Sequence, residues 1–261
     1  MTRLSHDRYC AEIAGQTSLL TAALPGVDLA TPVPSCPGWT VNQLLRHLGW
    51  GQRGVAWLVR ARATEPPSEA PFRDLSGYVG EDPAVLAEWL AESAADLAGA
   101  LRDAGPDAAM WTPLDVEGGA AAFFARRFAH ETVMHRADAV LALGGEFILD
   151  PDLATDGLDE WTELGSLPQM FDFHPERRAL LGPGRTLALH ATDTGAAWLI
   201  DLTGDALALR RGLEDAAVTV RGSARDLLLT AYRRQPADSP GIEVTGDAAL
   251  LSFYLAENPF G

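Results

Sequence analysis

The hydrophobic period of this chain changes once, and that change limits its architecture more than any other feature. Up to about residue 145 apolar residues recur at intervals of three and four, as on one helix face; from about residue 186 they alternate, as along a strand. A helical half followed by a mixed half predicts an α+β chain of two domains.

The helical half reads as four amphipathic segments. The first covers 5–24, turns Ile13, Leu19, Leu20 and Leu24 inward, and stops at Pro25-Gly26. The second opens at TVNQLLRHL, where Thr40 and Gln43 have capping-box spacing and Val41, Leu44, Leu45 and Leu48 form the stripe to be buried. A loop rich in Pro and Glu, near 64–82, leads to the third. That helix is capped by Asp82, carries Pro83 in its first turn, and runs through Leu86, Trp89, Leu90, Leu97 and Leu101 to Gly105. The fourth spans about 120–143 and ends at Gly144-Gly145. Together they predict a four-helix bundle over residues 1–150.

Residues 151–261 read as a linker helix, within a connection over about 146–180, and a small α+β domain. TLALHATD and AAWLIDL are strands joined near Thr194-Gly195, and ALALRR and AAVTVRG continue the alternation. SARDLLLTAYRR is a capped helix, IEVTG a short strand and DAALLSFYLAEN a final helix.

Charge and composition exclude several functions. The formal net charge of −16 argues against non-specific binding to nucleic acid or an anionic membrane. Arg pairs at Arg126/Arg127, Arg177/Arg178, Arg210/Arg211 and Arg233/Arg234 remain available for local anion contacts. All basic residues counted as Lys or Arg are Arg, which suggests a GC-rich genome. No apolar run approaches the roughly 20 residues of a membrane span, and the N-terminus has no signal-peptide core, so a cytoplasmic protein is expected. Two cysteines, Cys10 and Cys36, are too few for a disulfide framework and are expected to be reduced.

The chemistry concentrates in RRFAHETVMHRADAV. Phe124, Phe128, Glu131, His135 and Asp138 follow steps of four, three, four and three, so three ionisable groups share one stripe with two phenylalanines. Glu131 and His135 can reach one point beside their helix, and His47, at the margin of the second helix's apolar stripe, can face the bundle interior. Two His and one Glu make a three-ligand set with an open position, as in catalytic zinc sites. The alternative is an i, i+4 hydrogen bond on a solvated edge with His47 a satisfied interior histidine; the spacing alone leaves both open.

His130 points roughly 100° away from Glu131 and reads as structural or as a support to the ligands. Asp138 either accepts the second ring proton of a ligating histidine or pairs with an Arg. Cys36, in VPSCPGWTV just before a helix N-terminus, is a nucleophile candidate or a small packing residue. His6, His174 and His190 read as structural or exposed.

PSCPGWTVNQLLRHL and RRFAHETVMHRADA resemble the mycothiol-dependent maleylpyruvate isomerase family, a branch of the DinB-like metal-binding bundles; LATDGLDEWTE, VRGSARDLLLTAYRR and IEVTGDAALL extend the resemblance over most of the chain. It implies a DinB-like four-helix domain followed by a small α+β domain. By motif, it places zinc on His47, Glu131 and His135, with mycothiol, the cysteine-derived thiol of actinobacteria, as cosubstrate. The implied activity is addition of a metal-activated thiol to a small electrophile, as an isomerase or as a thiol S-transferase; a non-catalytic metal- or ligand-binding module is the alternative from another class. Where the family pattern has Trp-Gly-Arg, this chain has Tyr232-Arg233-Arg234. Arg234 takes the place of the family Arg and is expected to hold a substrate carboxylate, or else to complement the helix dipole. Monomer and homodimer are both open.

Overall fold

The computed structural model describes residues 3–66, 75–114 and 119–258. The Pro- and Glu-rich loop expected near 64–82 falls partly outside the described residues, which lack 67–74. The chain forms two compact units, Leu4–Phe147 and Ile148–Gly261, the latter joined by Met1–Arg3.

The first unit is helical: α1 (His6–Ala22), α2 (Val41–Ala61), α3 (Pro83–Ala104) and α4 (Ala120–Ala142). Each start has a local cause. The Ser5 hydroxyl accepts from the Arg8 amide, Thr40 and Gln43 close a capping box, and the Asp82 carboxylate accepts from Ala84 with Pro83 at the first helical position. α1 and α2 each pack against both α3 and α4, so the latter two separate them for most of their length. Leu20 and Leu24 are buried, whereas Leu19, expected to face inward, is exposed because it lies about 100° around α1 from Leu20, off the stripe of Ile13, Leu20 and Leu24.

The bundle core has two apolar clusters. One gathers Ile13, Leu58, Val59, Leu97, Leu101 and Phe124, the other Leu20, Leu44, Leu45, Leu48, Leu86 and Leu90. Between α1, α2 and α4, Gln52 reaches Thr17 and Thr132 with its side-chain amide. α2 and α3 meet closely at Gly49, where a Cβ would lie 2.2 Å from a Trp89 ring carbon.

The second unit is a five-stranded sheet with helices. Strands β1 (Thr186–Ala191), β2 (Ala197–Asp201), β3 (Ala208–Arg211), β4 (Val218–Gly222) and β5 (Glu243–Gly246) lie in the order β3-β2-β1-β4-β5. β1 and β4 are parallel and every other pair is antiparallel. The parallel pair needs a crossover, and β2 and β3 supply part of it at one edge. Five expected strands and two expected helices, α7 (Ala224–Ala231) and α8 (Ala248–Ala256), are present.

The segment read as a connection carrying a linker helix holds α5 (Pro151–Ser166), a four-residue helix α6 (Met170–Phe173) and a 3-10 turn over Pro175–Leu180. α5 packs on α7 and is anchored to the sheet by Asp159, which accepts from the Trp198 indole at 2.7 Å and pairs with Arg211 at 3.1 Å. Among the described residues, no helix is long and apolar enough to cross a membrane.

Candidate metal centre

His47 lies in the second turn of α2, and Glu131 and His135 lie one turn apart in the middle of α4. Because α2 and α4 are neighbours in the bundle, the three side chains meet: each offers a ligand atom, and these atoms lie within 4.8 Å of one another. The His47 and His135 rings stand perpendicular with centroids 5.2 Å apart, and Trp39 covers His47 at 4.8 Å.

The two nitrogens of His135 have different neighbours. Nδ1 lies 2.9 Å from Asp138 Oδ2, one turn along α4. Nε2 is buried and 3.2 Å from Glu131 Oε1, yet the two lack the alignment of a hydrogen bond. That is the arrangement of two donor atoms facing a common point rather than each other. In the neutral ring, with Asp138 holding the Nδ1 proton, the lone pair falls on Nε2, the nitrogen toward Glu131 and His47, as in carboxylate–histidine–metal sites. The donor set, two imidazoles and a carboxylate, suits zinc and related divalent ions.

Asp138 is itself fixed by the segment that precedes α2. The Ser35 hydroxyl donates to Oδ1 at 2.6 Å, and the Cys36 thiol lies 3.6 Å from Oδ2. This segment folds back on itself: Val33 donates to the Trp39 carbonyl, Trp39 to Cys36, and a bridge joins Pro32 and Thr40. Gly38, at φ +86°, supplies the turn that lets it do so. Asp138 thus contacts His135, Ser35 and Cys36. Cys36, His135 and Asp138 form a second group of close potential ligands, but Nδ1 of His135 and both Asp138 oxygens already serve one another, Ser35 and Cys36. The Cys36 thiol thus takes part in anchoring the carboxylate.

Arg127 is the contributor that sequence reasoning passed over. Its Nη2 donates to Glu131 Oε2 at 3.0 Å, leaving Oε1 toward His135. An i, i+4 Arg–Glu pair was the available signal. Burial would raise the Glu131 carboxyl, but Arg127, His135 and His47 outweigh it and hold it far below the ordinary carboxylate range. For His135, burial would lower the imidazole; the Asp138 and Glu131 carboxylates outweigh that and raise it to about 9 in the metal-free protein. His130, on another face of α4, is buried edge-on against Tyr9 at 6.1 Å.

The chain matches two family models, the mycothiol maleylpyruvate isomerase N-terminal domain over residues 10–140 and the corresponding C-terminal domain over 152–253. The chain belongs to the mycothiol maleylpyruvate isomerase family. A crystal structure of the mycothiol-dependent maleylpyruvate isomerase shares its fold, with TM-score 0.66 and 16% identity over 94% of this chain and 96% of that one. A His-to-Ala mutant of that enzyme gives TM-score 0.64 at 18% identity over the same shares. No curated protein matches by sequence.

Arg233 sits at φ +58°, after Tyr232 at the end of α7, a left-handed position that favours glycine. Arg234 follows, its amide donating to the Leu229 carbonyl at 2.7 Å and its guanidinium to the Tyr232 carbonyl at 2.7 Å. Of the remaining histidines, His6 reaches the Leu101 carbonyl at 3.0 Å, His174 pairs with Glu176 at 3.1 Å, and His190 lies in β1.

Proposed function

We propose that this chain is a metal-dependent enzyme of the maleylpyruvate isomerase type, in which mycothiol adds to a small electrophilic substrate. The observation that carries the reading is the meeting of His47, Glu131 and His135 at one point, with the inward nitrogen of His135 buried and its other nitrogen held by Asp138. These residues fit a zinc ion. Zinc held there would lower the pKa of an arriving thiol, so that the nucleophile exists at neutral pH.

The protein's own groups account for the rest. Asp138, fixed by Ser35, keeps the His135 tautomer and ring orientation; Arg127 keeps the Glu131 carboxylate ionised and turned inward. Trp39 covers one face of His47 and limits water there. Arg234 is assigned to the substrate carboxylate, on the chemistry of a guanidinium and its place in the family triplet. Addition beside an alkene permits bond rotation before the thiol leaves, which is isomerisation; a retained adduct would be transfer. The Tyr232-Arg233 departure from the family triplet favours a substrate other than maleylpyruvate.

The test is elemental analysis of protein purified without added metal, together with turnover of maleylpyruvate and other small electrophiles in the presence of mycothiol. About one zinc per chain, lost in His47→Ala and His135→Ala along with turnover, is the expected result. A folded wild type that neither contains nor takes up a divalent metal would leave a non-catalytic module. A stable thiol adduct as product would select the transferase.

A further inference from the structure

The His135 imidazole has a group of potential ligands on each side. Nε2 faces His47 and Glu131, the donor set of the proposed centre. Nδ1 faces Cys36 and Asp138, and the ligand atoms of this second group also lie within 4.8 Å of one another. Its geometry centres on one oxygen. Asp138 Oδ2 is 2.9 Å from His135 Nδ1, whose proton it holds, and 3.6 Å from Cys36 Sγ, whose thiol donates to it. Oδ1 is engaged separately, by the Ser35 hydroxyl at 2.6 Å. Two protons, one on sulfur and one on nitrogen, thus fill a triangle of three different ligand atoms.

The triangle has nearly the dimensions of a coordination sphere. Around a tetrahedral zinc ion, bonds of about 2.1 Å to nitrogen and oxygen and about 2.3 Å to sulfur put N and O ligands roughly 3.4 Å apart and S and O ligands roughly 3.6 Å apart. The Cys36–Asp138 separation already has that value, and His135 needs to open from Asp138 by only about 0.5 Å. The carboxylate keeps its aim, because Ser35 holds it through the oxygen that the ion leaves alone. Asp138 is fully buried, but Cys36 is half-buried beside the exposed Pro37 and Gly38, so an ion reaches the cluster from the thiol side. A thiolate with an imidazole selects cations of the zinc group over magnesium and calcium, which take oxygen ligands.

We propose that Cys36, Asp138 and His135 Nδ1 form a second metal site, for a thiophilic divalent cation of the zinc group, and that in the fully loaded protein the His135 imidazolate bridges two ions. The second cation displaces two protons, from Cys36 Sγ and His135 Nδ1, and its two positive charges take their place, so the charge of the cluster is unchanged. Because those protons must leave first, this is the weaker site and fills only when cation is added. It stands on its own three residues; the bridge alone rests on the proposed first centre.

The experiment is titration of the metal-free full chain with cadmium, counting bound ions by equilibrium dialysis and following the ultraviolet charge-transfer band that cadmium gives with thiolate. Wild type should take up two ions per chain, one of them with the band. Cys36→Ser should keep one ion and lose the band, whereas His47→Ala should keep one ion and the band. Cys10, buried in the bundle core, is present in every variant, so a band that survives in Cys36→Ser belongs to Cys10 and overturns the proposal. One ion in wild type without the band also overturns it, and leaves the first centre standing. One ion with the band, unchanged in His47→Ala, supports the second site and removes the first centre together with the bridge. If Cys36→Ser does not fold, iodoacetamide labelling of wild type decides, read by mass spectrometry. Two equivalents of cadmium should protect Cys36 from alkylation, and unchanged alkylation would overturn the proposal.

Discussion

Raising the pH should weaken the metal-free protein and strengthen its hold on zinc, and both effects trace to one imidazole. In the folded, metal-free chain His135 is raised to about 9, since Asp138 and Glu131 outweigh the effect of burial; in the unfolded chain it titrates near about 6.5. A group raised on folding contributes stability that is complete below its unfolded pKa and is lost as pH rises through its folded one. Between about pH 6.5 and 8.5 the loss comes to roughly 2 kcal/mol, from about 1.4 kcal/mol per unit near the middle of the range. Over the same range the proton on the buried Nε2 competes with the metal, so the apparent zinc affinity should rise by roughly two orders of magnitude. Above about pH 8.5 Cys10, pushed up to about 11 by burial, adds a loss of the same sign as unfolded thiols ionise. Urea unfolding in chelator measures the first effect and competition with a chromophoric chelator the second; His135→Gln should flatten the stability slope. A metal-free stability that is flat across the range, or a slope that survives in His135→Gln, would refute the reasoning.

Asp138→Asn keeps the shape of the side chain but removes the charge that fixes the His135 tautomer, and should weaken metal binding by about 10–100-fold while the protein stays folded; circular dichroism and chelator competition measure the two parts. Gly49→Ala gains helix propensity of about 1 kcal/mol but drives a methyl to 2.2 Å from the Trp89 ring. That ring is also held by Arg46 and Arg53 at 4.1 and 5.0 Å, so net destabilisation of roughly 1–3 kcal/mol is expected in urea unfolding, and an unchanged midpoint would show that Trp89 moves freely. Arg233→Gly relieves a left-handed backbone position at the end of α7 and should stabilise the second unit by about 0.5–1 kcal/mol; a lower unfolding midpoint would mean that the Arg233 side chain contributes more than the strain costs.

The sequence carried the elements well where local chemistry alone decides them. Thr40 with Gln43, Asp82 with Pro83, and the alternation in TLALHATD each specify an element without help from distant residues. α5 was harder to read because its anchoring is tertiary: Asp159 and Trp161 matter through Trp198, Arg211 and Tyr254, none of them near in sequence. Leu19 shows a limit at the scale of one residue: it falls about 100° around α1 from Leu20, off the stripe of Ile13, Leu20 and Leu24 that the other helices cover.

At the candidate metal centre the period of a helix places Glu131, His135 and Asp138 on one stripe, but only the packing of α2 against α4 brings His47 to them. The supporting contacts divide in the same way. Arg127 and Asp138 are helical neighbours of the groups they hold, four and three residues away, so the wheel contains them. Ser35 and Cys36 reach Asp138 across more than a hundred residues of chain, through a turn that depends on Gly38. The turn that precedes α2 therefore does two jobs: it starts the helix that carries His47, and it fixes the carboxylate that orients His135. A shift of that turn would disturb both histidines together, which is why substitutions at Ser35 or Gly38 should affect metal affinity although neither residue offers a ligand to the metal.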